Sequence, residues 1–242
     1  AIMRLDKYLS HTGFGSRKEV KEVLKKKIVT VNEKRVKDGK LSVNETSDVI
    51  CVDGEQICYQ EFVYYMLNKP KGVVSATEDN VHRTVVDLIA KEDYKKGLFP
   101  VGRLDKDTTG FLLLTNDGDL AHQLLSPKKK VPKLYQSHVS GIMTETDKEI
   151  FLKGITISGD EKCLPAKLTI MSVDEVNQTS EIELEIMEGK FHQVKRMVEA
   201  VGKKVVELNR KSMGGLLLDE TLKPGAYRAL NEKEIKILRD DN

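Results

Sequence analysis

The sequence predicts an α+β protein in two parts, a small α/β head and a larger domain with a mixed, mostly antiparallel sheet flanked by helices. Three observations point there. The 242 residues suffice for one good-sized domain plus a small one, each with its own core. Residues 1–40 carry twelve Lys or Arg against five acids, a net +7, and the remainder sums to −5, so a basic head precedes a slightly acidic body. After Gln60 the short basic runs give way to longer apolar, strand-like runs that alternate with helical stretches. The expected domains are therefore residues 3–60 and 61–242.

In the head, Leu5, Tyr8 and Leu9 have the spacing of a short amphipathic helix, which Gly13 and Gly15 end. Ser16 then caps a helix over Arg17–Lys27, with Val20, Val23 and Leu24 on one face and Glu19 completing a capping box. IVTVN, KRV and DVICVDG are β-branched runs between polar turns, a small sheet. In the larger domain FVYYMLNKPKGVV reads as a strand broken by a Pro-Gly turn. FLLLT, LYQSHVSG, AKLTIMSV, EIELEIM and VVELN read as further strands, with DLAHQLL and TETDKEIFLKG as helices between them. A further helix is expected to begin near Lys190, with Val194, Met197, Val198 and Val201 on its core face and Gly202 just past its end. On that helix Lys195 flanks the apolar stripe and Arg196 points out to solvent.

Composition excludes several classes. At 39% hydrophobic and 32% charged, with no apolar run long enough to span a bilayer, the chain is not expected in a membrane. No secretory leader opens it, so a cytoplasmic protein is expected. Cys51, Cys58 and Cys163 match no disulfide framework or zinc module and read as reduced thiols. His11, His82, His122, His138 and His192 are scattered, and there is no Walker loop, dinucleotide fingerprint or HExxH. Neither metal nor cofactor is expected.

The densest chemical signal is FPVGRLDKDTTGFLLLTNDGDLAH, residues 99–122, where a polar loop with Arg103, Asp105, Lys106 and Asp107 precedes an apolar strand. Taken alone, Asp105 either pairs with Arg103 to order the loop or serves as a reactive carboxylate. Lysines on the second helix of the head are either a solvated face or a phosphate-binding one.

Two resemblances bear on these alternatives. RLDKYLSHTGFGSRKEVKEVLKKKIVTVNEKRV resembles the S4 RNA-binding domain over roughly residues 3–50, chiefly through LDKYL, the SR that opens the second helix, and VTVN. That implies contacts to RNA phosphates from Arg4, Lys7, Arg17, Lys18, Lys21 and Lys25. GRLDKDTTGFLLLTNDG resembles the signature of the pseudouridine synthases, and MLNKPKGVVSAT, SPKKKVPKLYQ and EGKFHQVKRMVEAVG resemble other segments of that family, in family order. HRTVVDLI and LLSPKKKVPKLY are more similar to the branch acting on small-subunit rRNA than to its large-subunit sibling.

The resemblance implies an S4-like domain ahead of a pseudouridine synthase domain, with Asp105 as the essential carboxylate, Tyr135 stacking on the base, Lys195 as basic partner and Leu208 as an apolar pocket wall. Arg103, Lys128, Lys129, Lys130, His192 and Arg196 are then expected to contact RNA. The implied reaction isomerises uridine in 16S rRNA, as naked RNA or in a partly assembled small subunit, by a monomer that needs no cofactor. The C1′–N1 bond breaks, the base turns, and C5 rejoins C1′, with Asp105 acting as nucleophile or as base. The alternatives are a synthase of the same family acting on 23S rRNA, and a non-catalytic S4-type RNA-binding protein.

Overall fold

The computed structural model describes residues 2–59 and 62–239, and the chain separates into two compact units, Ala1–Phe62 and Val63–Asn242. In the first unit β1 (Ile2–Arg4), α1 (Leu5–His11) and α2 (Arg17–Lys26) precede β2 (Val29–Val31), β3 (Lys34–Arg35), β4 (Ser42–Asn44), β5 (Ile50–Val52) and β6 (Glu55–Ile57). The last strands form an antiparallel sheet in the order β3-β2-β5-β6, while β1 pairs with β4, a pairing the sequence did not suggest. The capping box of α2 is formed: Glu19 N donates to Ser16 Oγ at 3.1 Å and Ser16 N donates to Glu19 Oε1 at 3.2 Å. Val20 and Leu24 join Leu5, Leu9, Val29 and Ile50 in the unit's core. That leaves Arg17, Lys18, Lys21 and Lys25 exposed.

The second unit contains β7 (Tyr64–Lys69), β8 (Phe99–Pro100), β9 (Thr109–Thr115), α3 (Gly118–Leu125), β10 (Lys133–Ser140) and α4 (Glu145–Lys153). It continues with β11 (Thr156–Ile157), β12 (Glu161–Lys162), β13 (Lys167–Asp174), β14 (Thr179–Ile186), α5 (Gln193–Ala200) and β15 (Lys204–Met213). β16 (Leu216–Leu217), β17 (Tyr227–Ala229) and α6 (Glu232–Arg239) complete it; α6 was not expected from the sequence. The main sheet runs β13-β14-β10-β15-β9-β7-β17. Along that path the pairings are antiparallel except β15 with β9, which are parallel through Asn209–Thr109 and Arg210–Gly110.

Side-chain alternation explains the strands and their faces. In β14 Ser180, Ile182, Leu184 and Ile186 are buried while Glu181, Glu183 and Glu185 point away. The register sets Leu184 beside Tyr135 and Ile182 beside Ser137. Onto this face α5 lays Val194, Met197 and Val198, all buried, each contributing about 1.5–3 kcal/mol before entropy is counted. The helix ends in a Schellman motif, with Gly202 N donating to Glu199 O at 2.9 Å and Lys203 N to Val198 O at 3.1 Å.

The parallel junction demands a glycine. Gly110 has φ +108°, and a Cβ there would lie 2.2 Å from Arg210 O, so any other residue would push β9 off β15. This contact fixes the loop that precedes β9 beside Leu208 and Arg210 of β15. Among the described residues no helix is long and apolar enough to cross a membrane.

Candidate active site

Asp105 sits in the loop that leads into β9, and the backbone on both sides of it is held from within the fold. Lys69, the last residue of β7, shares its face with Tyr65 and Leu67 and is fully buried. Its ammonium donates to Pro70 O at 3.0 Å, Lys106 O at 3.1 Å and Thr108 O at 2.8 Å. Burial pushes this amine down to about 8, against the opposing pull of the Asp107 and Asp105 charges. On the other side Ser75 Oγ donates to Leu104 O at 2.8 Å and accepts from Leu104 N at 3.0 Å. The main chain is thus pinned, leaving the carboxylate to face outward.

Its partners come from α5 and the turn before it. Lys195 Nζ lies 3.3 Å from Asp105 Oδ2 and 3.1 Å from Asp107 Oδ1, and His192 Nε2 lies 3.1 Å from Asp105 Oδ1. Partial burial works against the Lys195 charge, but the hydrogen bond to Asp107 and the charges of both aspartates outweigh it and push its pKa up. The same hydrogen bond from Lys195 holds Asp107 below the usual carboxylate range. Arg103, the partner open to Asp105 from sequence, is exposed and makes no ion pair with it.

The helix begins at Gln193, not near Lys190, because Gln193 closes the preceding turn. Its Oε1 accepts from Lys190 N at 2.9 Å, and its own N donates to Lys190 O at 3.1 Å. His192, at the N-cap, is thereby held at φ +48° in the left-handed region, which turns its ring toward Asp105. Periodicity carries no trace of this turn, so the His192–Asp105 contact is a residue role that sequence reasoning missed. Phe191 stacks on His192 at 3.8 Å between ring centroids and is 74% exposed.

A cavity of about 580 Å³ opens at this cluster, and Asp105, His192, Lys195, Arg103, Tyr135 and Leu208 all line it. The ring of Tyr135 is buried on the core face of β10, beside Leu184 of β14 and opposite Arg210 of β15. Leu125, Ser126 and Pro127 form another wall, from which the exposed Lys128, Lys129 and Lys130 continue. A carboxylate flanked by an ammonium and an imidazole at a cavity with aromatic and aliphatic walls suits a flat heterocycle presented to a reactive acid.

Arg196 requires a correction. It does not project into solvent: its side chain is only 15% exposed and is paired with Glu161 at 2.7 Å. It also donates to Ser158 Oγ and to Phe191 O, both at 2.8 Å. The short β11–β12 hairpin covers the helix face that the wheel left open, and Arg196 braces the Phe191–His192 turn. In the first unit Arg4 pairs with Asp6 at 2.7 Å, while Lys7 is half-buried.

Two further cations line the cavity that the sequence reading passed over, Lys133 and Arg210. Alternation held the signal, since Lys133 is two residues from Tyr135 and Arg210 two from Leu208, each on the same face of its strand. Among the described residues no group of three or more His, Cys, Asp or Glu is placed to hold a metal ion.

Residues 63–200 match the family model described as RNA pseudouridylate synthase, and residues 3–50 match the S4 domain. The chain is 51% identical to an uncharacterized RNA pseudouridine synthase, YtzG, of Bacillus subtilis, over 98% of this chain and 99% of that one. It is 41% identical to the ribosomal small subunit pseudouridine synthase A of Vibrio cholerae, covering 96% and 98% of the two chains. It is also 41% identical to the ribosomal large subunit pseudouridine synthase B of Bacillus subtilis, covering 98% and 95%. A crystal structure of a pseudouridylate synthase superposes with TM-score 0.69 at 34% identity, over 98% of this chain and 99% of that one.

Proposed function

Because the chain belongs to the RNA pseudouridylate synthase family and carries an S4 domain, we propose that it converts a uridine of 16S rRNA to pseudouridine at the Asp105 cavity. The observation that carries this reading is the Asp105 carboxylate, held by Lys195 and His192 at 3.3 and 3.1 Å on the edge of a cavity walled by Tyr135 and Leu208.

The reaction needs a uridine taken out of its stack, since neither the sugar nor the base edge is reachable inside a helix. Tyr135 and Leu208 supply the walls between which the flat base fits. Asp105 acts as nucleophile or as base, and in either role it must be ionised; Lys195 Nζ stands 3.3 Å from its Oδ2. Lys195 also ties Asp107 to the cluster, so the carboxylate is presented in one orientation. Arg103 and Lys128–Lys130 at the cavity border, with Arg17, Lys18, Lys21 and Lys25 of the S4 domain, provide charge for the surrounding phosphates.

The similarity of HRTVVDLI and LLSPKKKVPKLY to the small-subunit branch supports 16S over 23S rRNA. The second reading, 23S rRNA, is favoured by the equal 41% identity to a large-subunit synthase. Pseudouridine mapping across both rRNAs, from cells with and without the protein, decides between them. A site lost only from 16S rRNA is expected. A site lost only from 23S rRNA establishes the second reading, and no lost site overturns both.

A further inference from the structure

The inner wall of the Asp105 cavity carries two cations that the Asp105–Lys195–His192 cluster does not use. Lys133 is 8% exposed and Arg210 is 2% exposed. The guanidinium of Arg210 donates from Nε to Phe111 O at 3.0 Å, but its Nη2 is buried with no partner. Lys133 Nζ has only Val131 O, at 3.5 Å. The carboxylate whose charge acts on Lys133, Glu188, already accepts from Leu164 N at 2.6 Å and Gln193 Nε2 at 3.0 Å. Thr108 Oγ1, in the same lining, is likewise buried and unpartnered.

Buried polar groups without partners oppose folding, and buried cations oppose it more, so such a group lining a cavity points to a ligand that completes it. Burial, together with the charge of Arg210, pushes Lys133 below the ordinary lysine range. The two cations therefore repel each other across a space that an electronegative group would neutralise.

The part of an RNA that reaches deepest into such a cavity is the flipped base, whose phosphates remain with the backbone at the mouth. Whichever way Asp105 assists, breaking C1′–N1 leaves the bond's electron pair on the uracil, spread over N1, O2 and O4. We propose that Lys133 and Arg210 hydrogen-bond the carbonyl edge of the uracil and stabilise the negative charge it carries while detached from the ribose. C5 then forms the new bond to C1′, the C5 proton leaves, and N1 takes up one proton, so electrons and protons balance. This inference rests on the reading of the Asp105 cavity as the place of uridine isomerisation.

The test compares Lys133→Met, Arg210→Gln and Arg210→Lys with wild type in single-turnover assays at saturating enzyme. The substrate is an rRNA fragment with uridine or 5-fluorouridine at the target position, and the rate is read by nucleoside chromatography as loss of that nucleoside. The fluorinated base has no C5 proton to release, so after rejoining through C5 its C6=N1 bond takes up water, OH at C6 and H at N1. Fluorine at C5 makes the base more acidic, so its anion needs less help. With uridine the Met and Gln variants are expected to be about 100-fold slower, the usual cost of one anion-stabilising donor. RNA affinity should stay within about threefold, and Arg210→Lys should recover part of the rate. With 5-fluorouridine the deficit should shrink about tenfold. Equal deficits on both substrates overturn the proposal in favour of a packing role. Unchanged saturated rates with a shallower salt dependence of binding overturn it in favour of phosphate contact. If Arg210 variants fail to fold, Lys133→Met, at the start of a strand, decides alone. A wild-type protein that forms no pseudouridine in either rRNA overturns the parent reading and this one with it. Wild-type turnover with equally fast variants overturns this one alone.

Discussion

Replacing Lys69 by Met removes the buried ammonium under the Asp105 loop while keeping its length. Three carbonyls lose a donor, but Lys106 O still accepts from Gly72 N at 3.0 Å, so Pro70 O and Thr108 O are the ones stranded. At about 1–3 kcal/mol per unsatisfied group, the gross loss is about 2–6 kcal/mol. Against it stands relief of the burial that pushes the amine from its ordinary 10.5 down to about 8, worth about 3 kcal/mol at neutral pH. The net stability change at pH 7 should therefore be small.

The pH dependence carries the sharper consequence. Between about 8 and 10.5 the unfolded chain keeps the Lys69 proton that the folded protein has released, so this group adds stability as pH rises through that window. The variant lacks the gain, and the gap between the two proteins should widen by about 2 kcal/mol from pH 7 to pH 9.5. Urea unfolding at both pH values measures it, and other titrations cancel in the difference. Turnover should meanwhile fall about 100-fold, since Asp105 loses its support and small displacements are costly at a reacting centre. Parallel stability profiles, or a variant with full turnover, would refute the reasoning.

Asp105→Asn keeps the volume and removes the charge, so pseudouridine formation should vanish while RNA affinity stays within a few fold; turnover above about one per cent of wild type excludes Asp105 as the essential group. Tyr135→Phe should keep the stacking surface and slow a step after base binding, and a fall in melting temperature with normal rates would instead mark it as packing. Gly110→Ala sets a Cβ 2.2 Å from Arg210 O at φ +108°, and is expected to cost at least about 3 kcal/mol in urea unfolding. Changing Arg17, Lys18 and Lys21 to Gln should flatten the salt dependence of rRNA binding by about two to three counterions, measured as the slope of log K against log salt, with the saturated rate unchanged.

The amphipathic spacing of Val194, Met197 and Val198, the alternation of EIELEI and the Ser16–Glu19 capping box are local patterns, so the sequence by itself determined the α+β class, the main strands and the helix that carries Lys195. The GRLD string marked Asp105 through its resemblance to the pseudouridine synthase signature, and the helical wheel turned Lys195 inward. What only the tertiary structure decided lies between elements distant along the chain. Lys195 reaches Asp105 across ninety residues. His192 reaches it only because Gln193 closes a turn that puts a non-glycine residue in the left-handed region. Lys69 lies buried beneath a loop with which it shares no local motif, and Arg196 is covered by a hairpin that no wheel contains. Lys133 and Arg210 share a cavity through strand register alone. Periodicity reports which face of an element is buried; what that face meets depends on strand pairing and turn closure, which are set by non-local packing.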